Sequence, residues 1–547
     1  MLHSAGLPLK RIYRMKKLLT LLLLAVAAVG FAQERVERWG CFELAFEYSA
    51  KGNPFDVALS ATFTSEGRTI VVQGFYDGDD TYRIRFMPPV EGNWHYTTRS
   101  SAAAMNRQRG SLVATPPTER NHGPVAVDEE GHGFRYADNS RYMPFGTTNY
   151  ALALFRPATQ EATLRELART GFNKTRLCVL PKDFPTPLEA PAVFPFELRS
   201  RTVDANGKEL FEWDFERFNP AFFQNLDLRI QQLQAMGIEA DLILFHPYDR
   251  GMWGFDKMPE AINKRYLDYL IARVGAYRNV WWSLANEWDL VRTRSVAEWE
   301  ELIRHVARQD PYGHLRSIHG GTAVYFNYMM PELTHVSIQD EAPVFAISSA
   351  ATLRQIFPKP VICDEIGYEG NLPLRWARYS GELLTHYITN GLMGGIYVTH
   401  GECYRDPAEE DFVYWSDGRD LKGESWRRIA FLRRILEQGP NPPCMADVSR
   451  DTITATAGEG YYYIYLGQSV QSSWRFNLPD SNARYRRPKE GDRYEVEIFD
   501  LWRMTMTKVP EIFEATATLN YRHYDKQHRD VRLPDSPYLL LRIRKVE

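Results

Sequence analysis

The sequence predicts an α/β fold in which a (β/α)8 TIM barrel is flanked by an N-terminal and a C-terminal antiparallel β-sandwich domain. Three observations support this prediction. Short strands with turn signals about ten residues apart fill the first part of the chain, as is typical of a sandwich. Short apolar strands then alternate with amphipathic helices, which indicates a parallel sheet. The strand rhythm returns toward the C-terminus.

Size and composition are those of a multidomain globular protein. The chain has 547 residues, well beyond the roughly 250–300 at which a single core divides. It is 44% hydrophobic and 25% charged, so every domain can bury a core. The net charge is −3 and no basic patch stands out, so we expect no nucleic-acid partner. Composition leaves the number of subunits open.

The first 32 residues predict a signal peptide. Lys16 and Lys17 precede an apolar run, Leu18–Phe31, which ends in a Gly-Phe-Ala pattern suited to signal peptidase. The run is shorter than the roughly 20 residues that a membrane-spanning helix needs. Met15 stands where a start is usual, so residues 1–14 fit a start-site extension. We therefore expect a secreted or periplasmic protein with no membrane span.

The five cysteines are widely spaced and form no Cys-x-x-Cys pair, so no disulfide framework is expected.

Changes in composition divide the rest of the chain into three domains. Residues 34–128 predict the first sandwich, in which Thr81–Phe86 alternates strictly between polar and apolar residues. Residues 133–438 predict the barrel, and residues 440–547 the second sandwich. The Pro-rich stretch 181–219 predicts a long loop above the barrel. A doubly wound open sheet is the alternative fold, but no Gly-rich phosphate loop follows any strand.

Eight segments of the barrel region are strand candidates. They are Tyr142–Thr148, Phe172–Leu180, Glu239–Phe245, Val280–Ala285, Arg316–His319, His335–Gln339, Pro360–Asp364 and Gly394–Thr399.

Acidic residues follow two of these strands. Asn286 and Glu287 come after strand four, and Asp364 and Glu365 come at the end of strand seven. Barrel active sites lie at the C-terminal ends of the strands, and glycoside cleavage requires two carboxyl groups. An acidic residue in this position can also cap the following helix, so the pattern alone leaves both interpretations open.

Three motifs resemble the 4/7 superfamily (clan A) of glycoside hydrolases. Val280-Trp-Trp-Ser-Leu-Ala-Asn-Glu resembles its strand-four motif, and Lys359-Pro-Val-Ile-Cys-Asp-Glu-Ile-Gly resembles its strand-seven nucleophile segment. Gly171-Phe-Asn-Lys-Thr-Arg resembles the strand-two segment of glycoside hydrolase family 5. The resemblance implies a retaining enzyme with Glu287 as the acid/base and Glu365 as the nucleophile.

The flanking regions resemble families without an assigned function. The N-terminal sandwich resembles domain-of-unknown-function family 5060, and the barrel and C-terminal region resemble 5605-type proteins. Phrases that carry this second resemblance include Leu244-Phe-His-Pro-Tyr-Asp and Gly423-Glu-Ser-Trp-Arg-Arg. It implies a role in polysaccharide processing.

The residues beside the two glutamates have expected roles. By resemblance to the clan, Asn286 hydrogen-bonds the sugar 2-hydroxyl. The Arg176 guanidinium is expected to lower the pKa of Glu365 and keep it ionised, a structural ion pair being the alternative. Asp364 should point to the opposite face of its strand and support the site from behind.

Other residues at the barrel rim are candidates for sugar binding. Polar groups follow strands three, five, six and eight, and they are His246, Tyr248, His319, Gln339 and His400. Aromatic candidates for sugar platforms are Trp253, Trp288, Tyr325 and Trp415. Each of these residues could instead be structural. The tryptophan that family 5 places on strand eight is absent, as is its His-x-Tyr near strand six.

These patterns predict a secreted retaining glycoside hydrolase that cleaves β-linked glycans and binds an oligo- or polysaccharide. No metal and no cofactor are expected, because no His-x-x-x-His or Cys–His cluster occurs. A retaining mechanism predicts carboxyl groups about 5–5.5 Å apart. A non-catalytic carbohydrate-binding protein on a decayed barrel is the alternative, and a structural or adhesive surface protein is a third hypothesis.

Overall fold

The structure is a computed structural model, and it describes most of the chain after the N-terminal segment. The described residues are 34–183, 191, 193–249, 251–322, 324–409, 412–439, 443–448, 453–480 and 487–547. The predicted signal peptide lies outside them. No helix in the described ranges is long and apolar enough to cross a membrane. All five cysteines are free.

The N-terminal region is a seven-stranded sheet that folds over on itself. Its long strand Arg68–Gly78 pairs with Leu59–Ser65 through its first half and with Thr81–Phe86 through its second half. The two halves of the sheet therefore face each other, and the rings of Phe63 and Phe86 stack 3.9 Å apart between them. In chain order, the seven strands are Glu34–Glu37, Phe42–Glu47, Leu59–Ser65, Arg68–Gly78, Thr81–Phe86, Gly92–Ser100 and Arg109–Thr115.

Eight parallel strands form a nearly closed barrel. Neighbouring strands pair in chain order, in one sheet of five strands and one of four, with a break at Ile318 in strand five. A parallel bridge between Thr147 and His400 connects the last strand to the first. Because the strands are parallel, their C-terminal ends lie on one rim.

The barrel strands one to eight occupy the predicted order, and strands three and four have the predicted bounds. They are Gly146–Thr148, Lys174–Cys178, Glu239–Phe245, Val280–Ala285, Arg316–Ser317 continued by His319–Gly320, Val336–Gln339, Val361–Glu365 and Tyr397–Val398.

Helices follow every barrel strand except strand five within the described ranges. They are Pro157–Leu167, Pro220–Ala235, Glu260–Val274, Val296–Gln309, Ile347–Ile356, Gly381–Gly394 and Ser425–Glu437. Local signals set their ends: Asn219 caps the second helix, and Ser295 with Glu298 forms a capping box on the fourth.

Three smaller sheets decorate the barrel. Part of the segment predicted as a long loop forms a hairpin, Phe196–Val203 with Glu209–Phe218, so that prediction was wrong in its second half. A three-stranded sheet precedes the barrel, and its Phe134 contacts Trp281 and Tyr397. The strands of this sheet are Val125–Val127, Phe134–Tyr136 and Arg141–Tyr142, and those of the third sheet are Glu369–Gly370, Glu402–Arg405 and Val413–Trp415.

The C-terminal region is a mainly antiparallel sheet with one face on the barrel. In strand Tyr461–Tyr465, Tyr463 and Tyr465 pack into the barrel core, while Tyr462 and Ile464 belong to a separate core on the other face. This is the alternation expected of a strand buried on both sides. The strands of the sheet are Cys444–Val448, Ile453–Gly458, Tyr461–Tyr465, Arg493–Asp500, Thr505–Lys508, Phe513–Glu514 and Leu539–Val546, and those covering its outer face are Ser473–Arg475, Asn477–Pro479, Arg522–Tyr524 and Asp530–Arg532.

Buried charges connect the N-terminal sheet to the barrel helices. Arg85 of the sheet lies 3.0 Å from Asp227 of the barrel, and Arg273 of the barrel lies 2.6 Å from Asp77 of the sheet. Arg273 also donates from Nε to Asp227. Each of the four side chains is less than a tenth exposed. Such pairs tolerate burial only while every partner is present.

We predict that Asp227→Ala destabilises the protein by about 3–5 kcal/mol, because it leaves two buried guanidinium groups without their shared carboxylate. Denaturant unfolding of the purified protein measures this change. Asp268→Ala is the matched control on the barrel helix that carries Arg273, since the Asp268 side chain is 47% exposed. A destabilisation by Asp227→Ala no larger than that of the control would contradict the prediction.

Candidate active site

Glu287 and Glu365 line one pocket of about 420 Å³ at the C-terminal rim of the barrel. Glu287 is the second residue after strand four, and Glu365 is the last residue of strand seven. Tyr150, Tyr248 and Gln339 line the same pocket. The two acidic residues selected from the sequence are therefore brought together.

Glu287 has a strained backbone and a fixed side chain. Its φ is 45° and its ψ is 53°, the left-handed region that costs a residue with a Cβ roughly 1–2 kcal/mol. Its N–H donates to Nδ1 of His319 at 3.3 Å, and the Tyr248 hydroxyl donates to its Oε2 at 2.5 Å. Strain of this kind persists only where the surroundings impose it, and it concentrates at functional sites.

A chain of hydrogen bonds leads from the barrel interior to Glu287. Arg176 donates from Nη2 to Oδ1 of Asn286 at 2.6 Å, and Asn286 donates from Nδ2 to the Tyr248 hydroxyl at 2.6 Å. Tyr248 then donates to Glu287. The position of the Asn286 amide is thus fixed by two protein partners, and Arg176 lies beneath the pocket with no exposed surface.

Glu365 receives its hydrogen bonds from two tyrosines that the sequence analysis did not select. The Tyr150 hydroxyl donates to Oε2 of Glu365 at 2.8 Å and lies 2.9 Å from the Tyr368 hydroxyl. Tyr150 follows barrel strand one, and Tyr368 lies three residues after Glu365. These tyrosines hold Glu365 from both sides of the barrel closure, because one follows strand one and the other follows strand seven.

Four charged side chains fill the barrel below the two glutamates. Lys174 lies 2.8 Å from both Asp241 and Asp364, and Nε of Arg176 lies 3.9 Å and 3.8 Å from the same two carboxylates. All four are at most 2% exposed. The lysine and arginine hold the pKa of Asp364 far below its usual range. Asp364 therefore supports the pocket from below, but it faces the barrel interior and not the opposite face of its strand, so that part of the prediction was wrong; a register shift at Glu365 lets both side chains face inward.

Both glutamates bind protons more tightly than a glutamate in water does. Burial raises the pKa of Glu287. Burial and the negative charge of Glu287 raise the pKa of Glu365 to about 7, while Arg176 and the two tyrosines oppose the rise. Arg176 therefore acts on Glu365 in the expected direction but does not outweigh burial. Near neutrality the pair can hold one proton and one negative charge, as acid–base chemistry requires.

Comparison with known proteins identifies the family. A model described as "Apiosidase-like, catalytic domain" matches residues 128–388, and two domains of unknown function, DUF5060 and DUF5605, match residues 35–101 and 450–544. A proposed glycoside hydrolase from Bacteroides vulgatus, solved as a crystal structure, is 54% identical, with a TM-score of 0.91 over 94% of this chain and 100% of that one. The chain belongs to this family of glycoside hydrolase-like proteins.

More distant structures share the fold of this glycoside hydrolase-like protein. A structure described as a glycoside hydrolase is 15% identical, with a TM-score of 0.56 over 79% of this chain and 98% of that one. A glycoside hydrolase family 5 structure from Bacteroides vulgatus is 15% identical, with a TM-score of 0.54 over 77% and 93%. None of the curated proteins that were compared matches the chain.

Two of the candidate histidines hold the glutamate and its tyrosine from behind. His246 accepts from the backbone N–H of Tyr248 at 3.1 Å, its ring stacks on the Tyr248 ring, and burial lowers its pKa to about 4. His319 is fully buried and accepts from the backbone of Glu287. Both imidazoles are therefore neutral supports that do not line the pocket.

His400 lies outside the barrel wall, so its predicted contact with a sugar was wrong. Nδ1 lies 2.9 Å from the Thr147 hydroxyl, the ring packs on Phe172, and burial lowers the pKa of His400 to about 3. Side-chain atoms of His400, Glu369 and Glu402 lie within 4.8 Å of one another and could hold a metal ion. Hydrogen bonds from the backbone at the start of the last helix already bind both glutamates.

The aromatic candidates are divided between core and rim. Trp253, Trp288 and Trp415 are at most 8% exposed, and none of them lines the pocket. The prediction that they are sugar platforms was therefore wrong. Their rings pack in the core between the loops and the barrel. Tyr325 is 38% exposed and donates to Asp340 at the rim.

Further polar groups complete the pocket, and sequence reasoning missed most of them. Gln339, which was predicted, lines the pocket and hydrogen-bonds Glu287. Lys182 lines it as well, with its ammonium 5.3 Å from the centre of the Tyr150 ring. The other lining residues that were not predicted include Arg375, Trp376, Cys403 and Ser416.

We predict that Glu365→Gln stabilises the protein against heat, and more so at pH 8 than at pH 5. The folded-state pKa of Glu365 is raised, so its carboxyl group costs stability as the pH rises from its unfolded value near 4.5 through about 7. A glutamine carries no such cost. The midpoints of thermal unfolding of both proteins at both pH values measure the difference.

Asp364→Asn is the matched control, because its carboxylate is stabilised by Lys174 and its folded pKa is lowered. This change should destabilise the protein at both pH values. A gain from Glu365→Gln that is equal at pH 5 and pH 8 would contradict the raised pKa.

Proposed function

We propose that the protein is a secreted retaining glycoside hydrolase that cleaves β-linked glycans by double displacement, in polysaccharide degradation. One observation carries the proposal. Two carboxyl groups, the buried Glu287 and the partly buried Glu365, meet in one pocket at the ends of barrel strands four and seven, and each is bound by a tyrosine of its own. Both carboxyl groups and Arg176 are present, which disfavours a decayed barrel that only binds carbohydrate.

The proposed reaction has two steps. In the first, Glu365 attacks the anomeric carbon while Glu287 gives its proton to the glycosidic oxygen, so that an ester forms and the leaving sugar departs as an alcohol. In the second, Glu287 takes a proton from water, the water oxygen attacks the same carbon, and Glu365 leaves as a carboxylate. Two inversions restore the original anomeric configuration.

The assignment of roles rests on the strand that each glutamate follows, because burial raises the pKa of both. The Arg176 charge and the Tyr150 hydroxyl oppose that rise at Glu365 and so support its ionised form, as a nucleophile requires. The proton is assigned to Glu287, which follows strand four, where the resemblance to the clan implies the acid/base. We further propose that Asn286 binds the sugar 2-hydroxyl through its amide.

The finer architecture and the export route belong to the same proposal. The nearly closed barrel is interpreted as a (β/α)8 barrel that spans residues 133–438, between sandwiches at residues 34–128 and 440–547. Residues 1–32 would direct export and be removed. The residues proposed to contact sugar are Tyr248, Gln339 and Tyr325, together with Lys182 and Trp376.

We predict that Glu365→Gln lowers turnover by roughly 10⁴-fold or more, because no group remains to form the ester. Hydrolysis of a panel of aryl β-glycosides and plant polysaccharides provides the assay. With the unchanged protein, a 2-fluoro glycoside of the accepted sugar should leave one sugar unit on Glu365, seen by peptide mass spectrometry. Attachment of the sugar elsewhere would remove the assignment.

We predict that Glu287→Ala lowers the rate strongly on poor leaving groups and weakly on activated aryl groups, because only the former need a proton. Azide should restore part of the rate and yield a β-glycosyl azide, since an anion attacks without a general base. NMR of the product identifies the anomer. An α-glycosyl azide would indicate inversion and contradict the double displacement.

We predict that Tyr150→Phe lowers kcat/KM about 10- to 100-fold, because a hydrogen bond to a charged group contributes roughly 1.5–3 kcal/mol. Loss of the donor disfavours the ionised form of Glu365, so the acidic limb of the pH profile should move to higher pH. His246→Gln is the comparison outside the pocket. His246 supports Tyr248 and not Glu365, so this change should leave the acidic limb in place. An unmoved limb in Tyr150→Phe would contradict the role of Tyr150.

A further inference from the structure

The C-terminal region contains a groove of about 710 Å³ that is distinct from the barrel pocket. It is lined from two strand pairs on the outer face of the sheet, Ser473–Arg475 with Asp530–Arg532 and Asn477–Pro479 with Arg522–Tyr524. The volume falls within the range of about 300–1,000 Å³ that is usual for ligand sites.

The lining of the groove is positively charged. It includes Arg475, Arg522 and Arg529, against Asp525 as its acidic residue. Arg529 pairs with Asp525 at 2.9 Å, and the largely exposed Arg475 pairs with Asp530 at 2.9 Å just outside the lining. Two of the three arginines are thus paired with carboxylates, and the groove keeps a small excess of positive charge. Guanidinium groups bind carboxylates with matching geometry.

A strained turn carries an exposed tyrosine between two residues that line the groove, Asn520 and Arg522. Leu519 and Arg522 pair across a two-residue turn whose central residues, Asn520 and Tyr521, have φ values of 51° and 62°. Such turns favour glycine at the second central position. Tyr521 occupies it with 79% of its surface exposed. His528, which lines the groove, is also left-handed, with a φ of 55°.

The strained backbone of Tyr521 destabilises the fold, and its exposed side chain makes too few packing contacts to offset this. The turn would be less strained with glycine, and the Tyr521 ring buries little surface in the protein. Left-handed residues that are not glycine gather at binding sites, where the strain presents a side chain to a ligand. A tyrosine ring offers an apolar face to a sugar ring and a hydroxyl to water.

We propose that this groove binds an acidic polysaccharide, with Tyr521 stacked on a sugar ring and the arginines on uronate carboxylates. The site is separate from the two glutamates and would hold the polymer, not cleave it. The choice of a glycan over another polyanion rests on the proposed function. Single-stranded nucleic acid has the same charge and also stacks on aromatic rings, so it is one arm of the test.

Isothermal titration of the protein without residues 1–32 measures binding to polygalacturonate and to the same polymer fully methyl-esterified. We expect binding to the acidic form, weakening as salt rises, and none to the neutral ester. Tyr521→Gly should lower the affinity about tenfold, as loss of an aromatic anchor does, and should raise the thermal midpoint. Hydrolysis of a small aryl glycoside should not change.

Matched controls separate binding from strain and from charge. Met504→Gly relieves a left-handed residue (φ 55°) in the same region, so it should raise the midpoint and leave binding unchanged. Arg475→Gln should weaken binding, whereas Arg503→Gln, equally exposed and outside the groove, should not. Equal binding of the two polymers, tighter binding of a single-stranded DNA oligomer, or wild-type affinity in Tyr521→Gly would overturn the proposal. Because small-substrate hydrolysis is measured separately, failure of the groove and failure of the catalytic pair are distinguishable.

Discussion

The buried charges inside the barrel are the constraint on which the site depends. Removing an ionised group from water costs several kcal/mol of stability unless the group is paired. Lys174 offsets much of this cost because it contacts two carboxylates at once. Asp364 also accepts from Ser337 and Thr399, so the cluster links barrel strands two, three, six, seven and eight. Arg176 extends it to strand four through Asn286. The groups that fix the barrel interior therefore also set the charge below the two glutamates.

The residues above this cluster suit the site to acid–base chemistry, but they lower the stability of the folded protein. Glu287 has a left-handed backbone, and removal from solvent raises the pKa of both carboxyl groups. Within the described part of the chain, no ion pair neutralises Glu365 directly. Hydrogen bonds from tyrosines hold the two groups instead, and a neutral imidazole stacked behind Tyr248 holds that ring. Neutral donors fix geometry without adding charge, so the pair can hold one proton near neutrality.

Elements that are set by a local sequence pattern were predicted correctly. Site residues that are set by contacts between distant parts of the chain were missed. Barrel strands three and four are continuous buried runs between helices, so their bounds were found. Strand five is broken, and no pattern marks its break. Thr399 points into the barrel and His400 away from it, and one residue of register decides which lines the site. Tyr150 lies in an apolar segment, 215 residues from the glutamate it binds, so only the fold could reveal its role.

The C-terminal sheet is buried on both faces, and this arrangement separates its outer surface from the active site. Tyr463 and Tyr465 anchor one face on the barrel, and the other face carries the core that supports the outer strand pairs. The groove lies on those outer strands, so the whole thickness of the sheet separates it from the barrel. A ligand there cannot touch Glu287 or Glu365. It can act on them only by raising the local concentration of polymer, an effect that depends on chain length and not on the sugar at the cleavage point.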